Sequence, residues 1–207
     1  MLLDAGCVSG RRGEPFRLPS GWASPVYMDC RRLTAFPRIR RDLIRRAIEL
    51  LRGRAALIGV ECVVGCEVSG IPIAAWLAEE LDLPMQIIRK RARGSERTEG
   101  PSLRGKRVLL VDDLMAAGVT KVDFIAALQG SGAEVRDVFV IFDYGTFNAD
   151  EVLEALGVRT NALASWADVL AAARSSCSLD DEAQRELEHF LAGPRRWSLE
   201  HGGKGSY

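Results

Sequence analysis

Hydrophobic and polar positions along the 207-residue chain switch repeatedly between a helical and a strand period. Residues 37–53 (P-R-I-R-R-D-L-I-R-R-A-I-E-L-L-R-G) place Ile39, Leu43, Ile44, Ala47, Ile48 and Leu51 at helical spacing. A proline at the start and a glycine at the end complete the signature of an amphipathic helix. Residues 57–66 are almost continuously apolar, which suits a strand buried on both faces. Gly70-Ile71-Pro72 opens a helix to about Leu81, and Pro84 leads into a strand over 85–88. Residues 91–105 are polar and charged without a period, which predicts a loop long enough to be functional. A strand over 107–111 follows, then a helix over 119–130 closed by Gly130 and Gly132, and a strand over 135–142. The pattern continues with a helix over 149–156, a strand over 158–163 and a helix over 165–174. Ser178 is a candidate N-cap for a last helix over 179–192 with acids in its first turn, and 193–207 reads as a loosely ordered tail. No internal repeat is visible. The alternation predicts an α/β fold, a parallel central sheet with helices on both faces.

Bulk composition adds bounds. The length fits one domain with a small appendage, and 47% hydrophobic residues are ample for a core. Lysine plus arginine number 28 and acids 28, so no global field recruits nucleic acid or a membrane surface. Charge is uneven: 31–54 and 89–107 are basic and 179–188 is acidic. Arg38, Arg40, Arg41, Arg45 and Arg46 make one basic helix, but without interleaved aromatics it reads as a solvated face, not a nucleic-acid surface. No apolar run approaches the ~20 residues of a membrane span. The first residues lack a signal-peptide core, so the expected compartment is the cytoplasm. The five cysteines, Cys7, Cys30, Cys62, Cys66 and Cys177, form no disulfide framework and fit reduced thiols. Cys62-x₃-Cys66 lies in an apolar run, where buried small hydrophobes are the better reading than a metal site. The only histidines, His189 and His201, lie near the C-terminus and offer little material for histidine catalysis.

One stretch carries chemistry: R-V-L-L-V-D-D-L-M-A-A-G-V-T-K, residues 107–121. An apolar run ends in two carboxylates, Asp112 and Asp113, followed by a small-residue loop with Gly118 and a new helix. In an α/β sheet this order sits at the carboxyl end of a strand, where ligands bind. Loop N–H groups and the helix dipole suit a phosphate. The carboxylates accept hydrogen bonds from hydroxyls or from a hydrated divalent ion. Acid beside phosphate loop suggests a sugar phosphate. The bland alternative for the acids is a strand-end residue capping the next helix.

With these elements placed, the chain resembles the orotate phosphoribosyltransferases of the type I phosphoribosyltransferase fold, over about residues 2–172. F-R-L-P-S-G-W-A-S-P-V-Y-M-D-C-R-R-L (16–33) resembles the family's opening motif, and V-G-C-E-V-S-G-I-P-I-A (64–74) its pyrophosphate loop. P-M-Q-I-I-R-K (84–90) ends in the Arg-Lys pair before a mobile catalytic loop, closed by E-G at 99–100. V-D-D followed by A-A-G-V-T is the ribose-phosphate loop. The resemblance implies an N-terminal hood over about 1–35, a core over about 36–175 and a C-terminal helix over about 179–192, forming one domain over 1–192. It implies transfer of ribose 5-phosphate from phosphoribosyl pyrophosphate to orotate or a related base, releasing pyrophosphate in pyrimidine nucleotide synthesis. It also implies Mg2+, held mainly through phosphoribosyl pyrophosphate and water, and a homodimer in which each mobile loop covers the neighbour's site.

By the same resemblance, Asp112 and Asp113 hold the ribose hydroxyls and stabilise positive charge on the sugar. Ala116, Ala117, Gly118, Val119 and Thr120 cradle the 5-phosphate, while Arg89, Lys90 and Ser69 meet the pyrophosphate. Arg93 stands where the family's loop lysine acts in catalysis. Ala116 and Tyr144 fall at base-binding positions. Several ligand positions depart from the family pattern. Only Thr120 keeps a hydroxyl in the phosphate loop, Ser95 occupies the place of a loop histidine, and Tyr144 replaces an arginine after Asp143. Ser69 and Pro19 replace residues that are lysine in some members. Val119, being β-branched, would resist a positive φ if the loop needed one there. These departures keep an alternative open: a catalytically impaired or non-catalytic member, binding a phosphoribosyl ligand as a regulator or partner subunit.

Overall fold

The structure, a computed structural model, describes residues 1–10, 14–18, 20–93, 96–146, 149–176 and 181–205, with the side chains of residues 92, 93, 96 and 176 also outside the description. Pro19, Ser95, Cys177 and Ser178 therefore lie outside the described residues. The chain divides into two compact units, one of Met1–Phe36 with Ala164–Tyr207 and one of Pro37–Leu163.

The first unit begins with short strands. β1 (Val8–Gly10) pairs antiparallel with β4 (Val26–Met28), and β2 (Phe16–Arg17) with β3 (Ala23–Ser24). A 3₁₀ helix over Cys30–Ala35 ends this stretch.

The second unit opens with α1 (Pro37–Gly53), which buries Leu43, Ile44, Ala47, Ile48 and Leu51 as the helical spacing requires. Arg38, Arg41, Arg45 and Arg46 are exposed, with Arg45 paired to Asp42 and Glu49 and Arg46 to Asp42, while Arg40 lies over the Trp76 ring. Strand β5 (Cys62–Cys66) is shorter than the apolar run 57–66, because Ala55 and Gly59 take positive φ in a preceding turn. Then come α2 (Gly70–Leu81), β6 (Met85–Arg93), β7 (Glu96–Glu99), β8 (Arg107–Met115), α3 (Val119–Gly130), β9 (Glu134–Asp143), α4 (Ala149–Ala155) and β10 (Arg159–Ser165), the last straddling the unit boundary. The sheet runs β10-β9-β8-β5-β6-β7. The pairs β5–β6, β5–β8 and β8–β9 are parallel, while β6–β7 is an antiparallel hairpin.

That hairpin corrects the expected loop over 91–105. Strand β6 runs on to Arg93, and Thr98 and Glu99 pair back with Ile88 and Ile87. The reason is charge pairing invisible in a period count: Arg89 bonds Glu99, and Arg97 grips Asp123 of α3 through both carboxylate oxygens at 2.9 and 2.8 Å. Strand β8 is also longer than expected and carries both aspartates inside it, since Asp112 pairs with Val140 and Met115 with Asp143 of β9.

Strand residues alternate between two apolar faces. Cys62, Val64, Cys66 and Leu110 pack with Phe124, Ile125 and Leu128 of α3 in one cluster. Cys62 and Cys66 are thus core residues, and Cys7, Cys30, Cys62 and Cys66 are all free thiols. Gly70 sets how closely α2 approaches the sheet, since a Cβ there would overlap the carbonyl oxygen of Val111 and crowd the Cα of Asp112.

The chain returns to the first unit with α5 (Trp166–Ser176), α6 (Asp181–Ala192) and α7 (Pro194–Glu200). Helix α7 overturns the loose tail expected over 193–207. Trp197 is buried edge-on against Phe190, stacks on His201 and donates to Glu186. Ser198 Oγ accepts the Ala23 N–H at 2.9 Å and donates to the Lys204 carbonyl at 2.5 Å. The Ala23 partner lies 175 residues from Ser198, so local composition does not reveal it.

Two stability outcomes follow. Trp197→Ala should cost about 3 kcal/mol or more, read as a lower urea midpoint by circular dichroism; an unchanged midpoint would return the tail to the loose class. Gly70→Ala should cost about 1–3 kcal/mol through overpacking, and wild-type denaturation would show that α2 tolerates a wider seat.

Candidate functional site

Three segments meet at the carboxyl ends of the parallel strands, where helix N-termini and strand ends converge. Two follow β5 at 67–69 and β8 at 116–118, and the third is the stretch 89–90 of β6 itself, just past its last pair with β5 at Ile88.

The β8 connection holds the acids. Asp112 is buried on the α3 side with 7% exposure, and its Oδ1 accepts the Asp113 N–H at 2.9 Å. Its Oδ2 accepts a hydrogen bond from Lys121, whose Nζ also donates to the Leu114 carbonyl at 2.7 Å. Asp113 follows on the opposite pleat and is half-buried. Burial, then the neighbouring Asp112, push the Asp113 carboxyl up to about 7. For Lys121, burial opposes the charge, yet Asp112, with Cys66 and Asp113, lifts the ammonium above its ordinary value. Burial, and the acids nearby, keep the Cys66 thiol protonated.

The loop beyond is built for an anion. Gly118 takes φ +75° at the N-cap of α3, and Val119 begins the helix, so the left-handed position falls on glycine and not on the β-branched residue. A Cβ on Gly118 would press on Ala149. The first helical hydrogen bond is Val122 N–H to the Gly118 carbonyl at 2.9 Å, so the amides of residues 119–121 precede the helical ladder and point outward from its positive end. Ala116 and Ala117 are half-buried, while Val119 and Thr120 are exposed.

Beside it, Ser69 stands at the N-cap of α2 without a side-chain cap bond. Arg89 bonds Glu99 at 2.6 Å and Glu67 at 3.3 Å, and Glu67 also accepts the Lys90 N–H at 2.9 Å. Lys90 itself is exposed. Arg97 donates to the Arg89 carbonyl at 2.9 Å and lies over the Phe124 ring, tying the hairpin to α3. Arg93 ends β6 with its backbone paired to Glu96, and its side chain lies outside the described residues, as does all of Ser95.

The base-facing expectation for Tyr144 needs correction. Its ring is 2% exposed and packs edge-on against Phe142, so it presents no open stacking face. Its backbone N–H bonds the Met115 carbonyl, and Asp143 beside it accepts the Gly145 N–H at 3.0 Å. Burial raises the Asp143 carboxyl, partly offset by that bond.

The structure thus brings Asp112, Asp113 and 116–120 together on one strand–loop–helix, with Ser69, Arg89 and Lys90 on adjoining strand ends. Glu67, Glu99 and Lys121 were missed. Lys121 had one available signal: a cation in the first turn opposes the helix dipole and calls for a local acid.

A phosphoribosyl transferase domain family model matches residues 31–149. A protein of Cereibacter sphaeroides (strain KD131 / KCTC 12085), named orotate phosphoribosyltransferase, is 44% identical over 202 residues, covering 95% of this chain and 87% of the relative. One of the same name from Rhizobium rhizogenes (strain K84 / ATCC BAA-868) is 40% identical over 207 residues, covering 98% and 89%. The crystal structure of orotate phosphoribosyltransferase from Aeropyrum pernix superposes with a TM-score of 0.73 at 31% identity, covering 84% of this chain and 99% of that one. By these matches, the chain belongs to the orotate phosphoribosyltransferase family.

Proposed function

We propose that this protein transfers ribose 5-phosphate from phosphoribosyl pyrophosphate to a ring nitrogen of orotate, releasing pyrophosphate. The observation that carries this reading is the half-buried Asp113 carboxylate directly before a phosphate loop whose one left-handed residue is Gly118. In the transfer, the bond from the sugar C1 to the pyrophosphate oxygen breaks with its electron pair leaving on pyrophosphate. The bond from C1 to the ring nitrogen forms, and the nitrogen releases its proton. The sugar passes through an oxocarbenium-like state, which an ionised Asp113 stabilises at close range.

The amides of 116–120 hold the 5-phosphate independently of side-chain hydroxyls, which accounts for Ala116, Ala117 and Val119 being tolerated there. Lys90, Ser69 and Arg89 receive the pyrophosphate, and Arg89 exchanges its carboxylate partners for it. Arg93, at the end of β6, supplies further positive charge. Ala116 and the backbone end of β9 near Tyr144 border the base.

Mg2+ fits this donor set. Among the described residues no group of three or more His, Cys, Asp or Glu side chains is placed to hold a metal. The ion would take its ligands mainly from phosphoribosyl pyrophosphate and water, and Asp113 would accept hydrogen bonds from that water. When bound, it neutralises charge on the departing pyrophosphate. A homodimer is part of the proposal, as is a cytoplasmic setting, in keeping with four buried free thiols. No helix among the described residues is long and apolar enough to cross a membrane.

The test is turnover. With phosphoribosyl pyrophosphate, magnesium and orotate, loss of orotate absorbance should accompany pyrophosphate release, and Asp113→Asn should lower kcat by about 100-fold or more. Ligand binding without turnover would favour the regulator reading instead.

The raised Asp113 carboxyl gives a second outcome. An acid whose folded pKa lies above its unfolded value near 3.8 loses stabilisation as pH rises between the two. Activity needs the ionised form, so kcat/KM should climb through about pH 7, while stability falls from near pH 3.8 up to about pH 7 and levels off above it. Asp113→Asn should flatten both curves and leave the variant more stable than wild type at pH 8. A flat wild-type profile between pH 5 and 8 would remove Asp113 from the role.

A further inference from the structure

Lys121 belongs to none of the family motifs read from the sequence, yet it is the most committed cation of the site. As the third residue of α3 it opposes the helix dipole, and its side chain is only 9% exposed. A buried ammonium is strongly unfavourable unless fully partnered. Lys121 has partners at two points, Asp112 Oδ2 and the Leu114 carbonyl at 2.7 Å. Both partners precede the phosphate loop, whereas Lys121 follows it. The two bonds therefore close residues 115–120 into a ring, joining the strand end to the first turn of the helix. With Oδ1 taken by the Asp113 N–H, both Asp112 oxygens face the protein, and Asp113 is the acid left toward the open side.

We propose that Lys121 is a positioning residue that staples the 5-phosphate loop into its ligand-ready shape and reserves Asp112 for that staple. This rests on reading 116–120 as the 5-phosphate loop. Lys121 acts without touching the phosphate, through where the amides of 116–120 point. The pyrophosphate end is held from other strands, by Ser69, Arg89 and Lys90, so the staple should matter for one end of the substrate and not the other.

The experiment is calorimetric titration of the full-length chain with ribose 5-phosphate and, separately, with magnesium pyrophosphate. Lys121→Met should weaken ribose 5-phosphate binding by about tenfold or more, with pyrophosphate affinity kept within about twofold. In steady state the KM for phosphoribosyl pyrophosphate should rise more than kcat falls. Because Lys121→Met leaves a lone buried carboxylate, Lys121→Met/Asp112→Asn removes both charges and should show the same one-ended loss in a folded protein. Wild-type affinity for ribose 5-phosphate in either folded variant overturns the staple and leaves the proposed reaction standing. Equal loss at both ends, or loss of fold in both variants, makes Lys121 a general stability residue and also overturns it. Failure of the wild-type protein to bind ribose 5-phosphate overturns the staple and the proposed reaction together.

Discussion

Taking an ammonium and a carboxylate out of water together is favourable only when every remaining lone pair and proton finds a partner. In the Lys121–Asp112 contact both carboxylate oxygens and two of the ammonium protons are partnered, through the Asp113 N–H on one side and the Leu114 carbonyl on the other. Everything near the reacting sugar depends on it. The pair sits where β8 stops and α3 starts, so its geometry sets the angle between the strand carrying the acids and the helix presenting amides. Removing either charge alone would leave the other buried, which links the shape of the loop to the integrity of the strand.

A second constraint is steric. Because Gly70 has no side chain, α2 seats directly on the Val111 carbonyl, and the connection after β5 is pressed against the diacid. The start of α2 and the acid end of β8 are thereby adjacent. Electrostatics then separates their roles. Asp112 is compensated internally, and Arg89 is shared between Glu67 and Glu99. That leaves Asp113 half-exposed and Lys90 exposed, the charges that meet ligand in the proposed reaction. An arginine already forked onto carboxylates is oriented for a bidentate oxyanion, and exchanging one for another requires little rearrangement.

The order of elements was legible because each carried its own periodicity. Helix α1 and strand β9 are where the hydrophobic pattern puts them, β8 starts there but runs on past the diacid, and Val119 and Gly130 bound α3 as expected. The diacid and Gly118 were legible for a related reason: two acids ending an apolar strand and a lone glycine at a helix start are local patterns with a local physical cause. Lys121 was not, because a lysine in the first turn of an amphipathic helix looks solvated until its partner nine residues back is placed beside it. Tyr144 misled in the opposite sense. A tyrosine after a strand reads as available, but contact with Phe142 takes its ring into the core.

The hairpin over Met85–Glu99 and the helix Pro194–Glu200 show the same limit at larger scale. Their order comes from Arg97 on Asp123 and from Ser198 on Ala23, pairs separated by 26 and 175 residues. By itself the sequence determined the α/β alternation, the family pattern and the V-D-D-L-M-A-A-G-V-T segment, since periodicity, turn chemistry and charge spacing are properties of neighbours along the chain. Tertiary structure decided the division of labour between Asp112 and Asp113. Which of two adjacent carboxylates is neutralised depends on which face of the strand meets a buried cation, and only packing sets that.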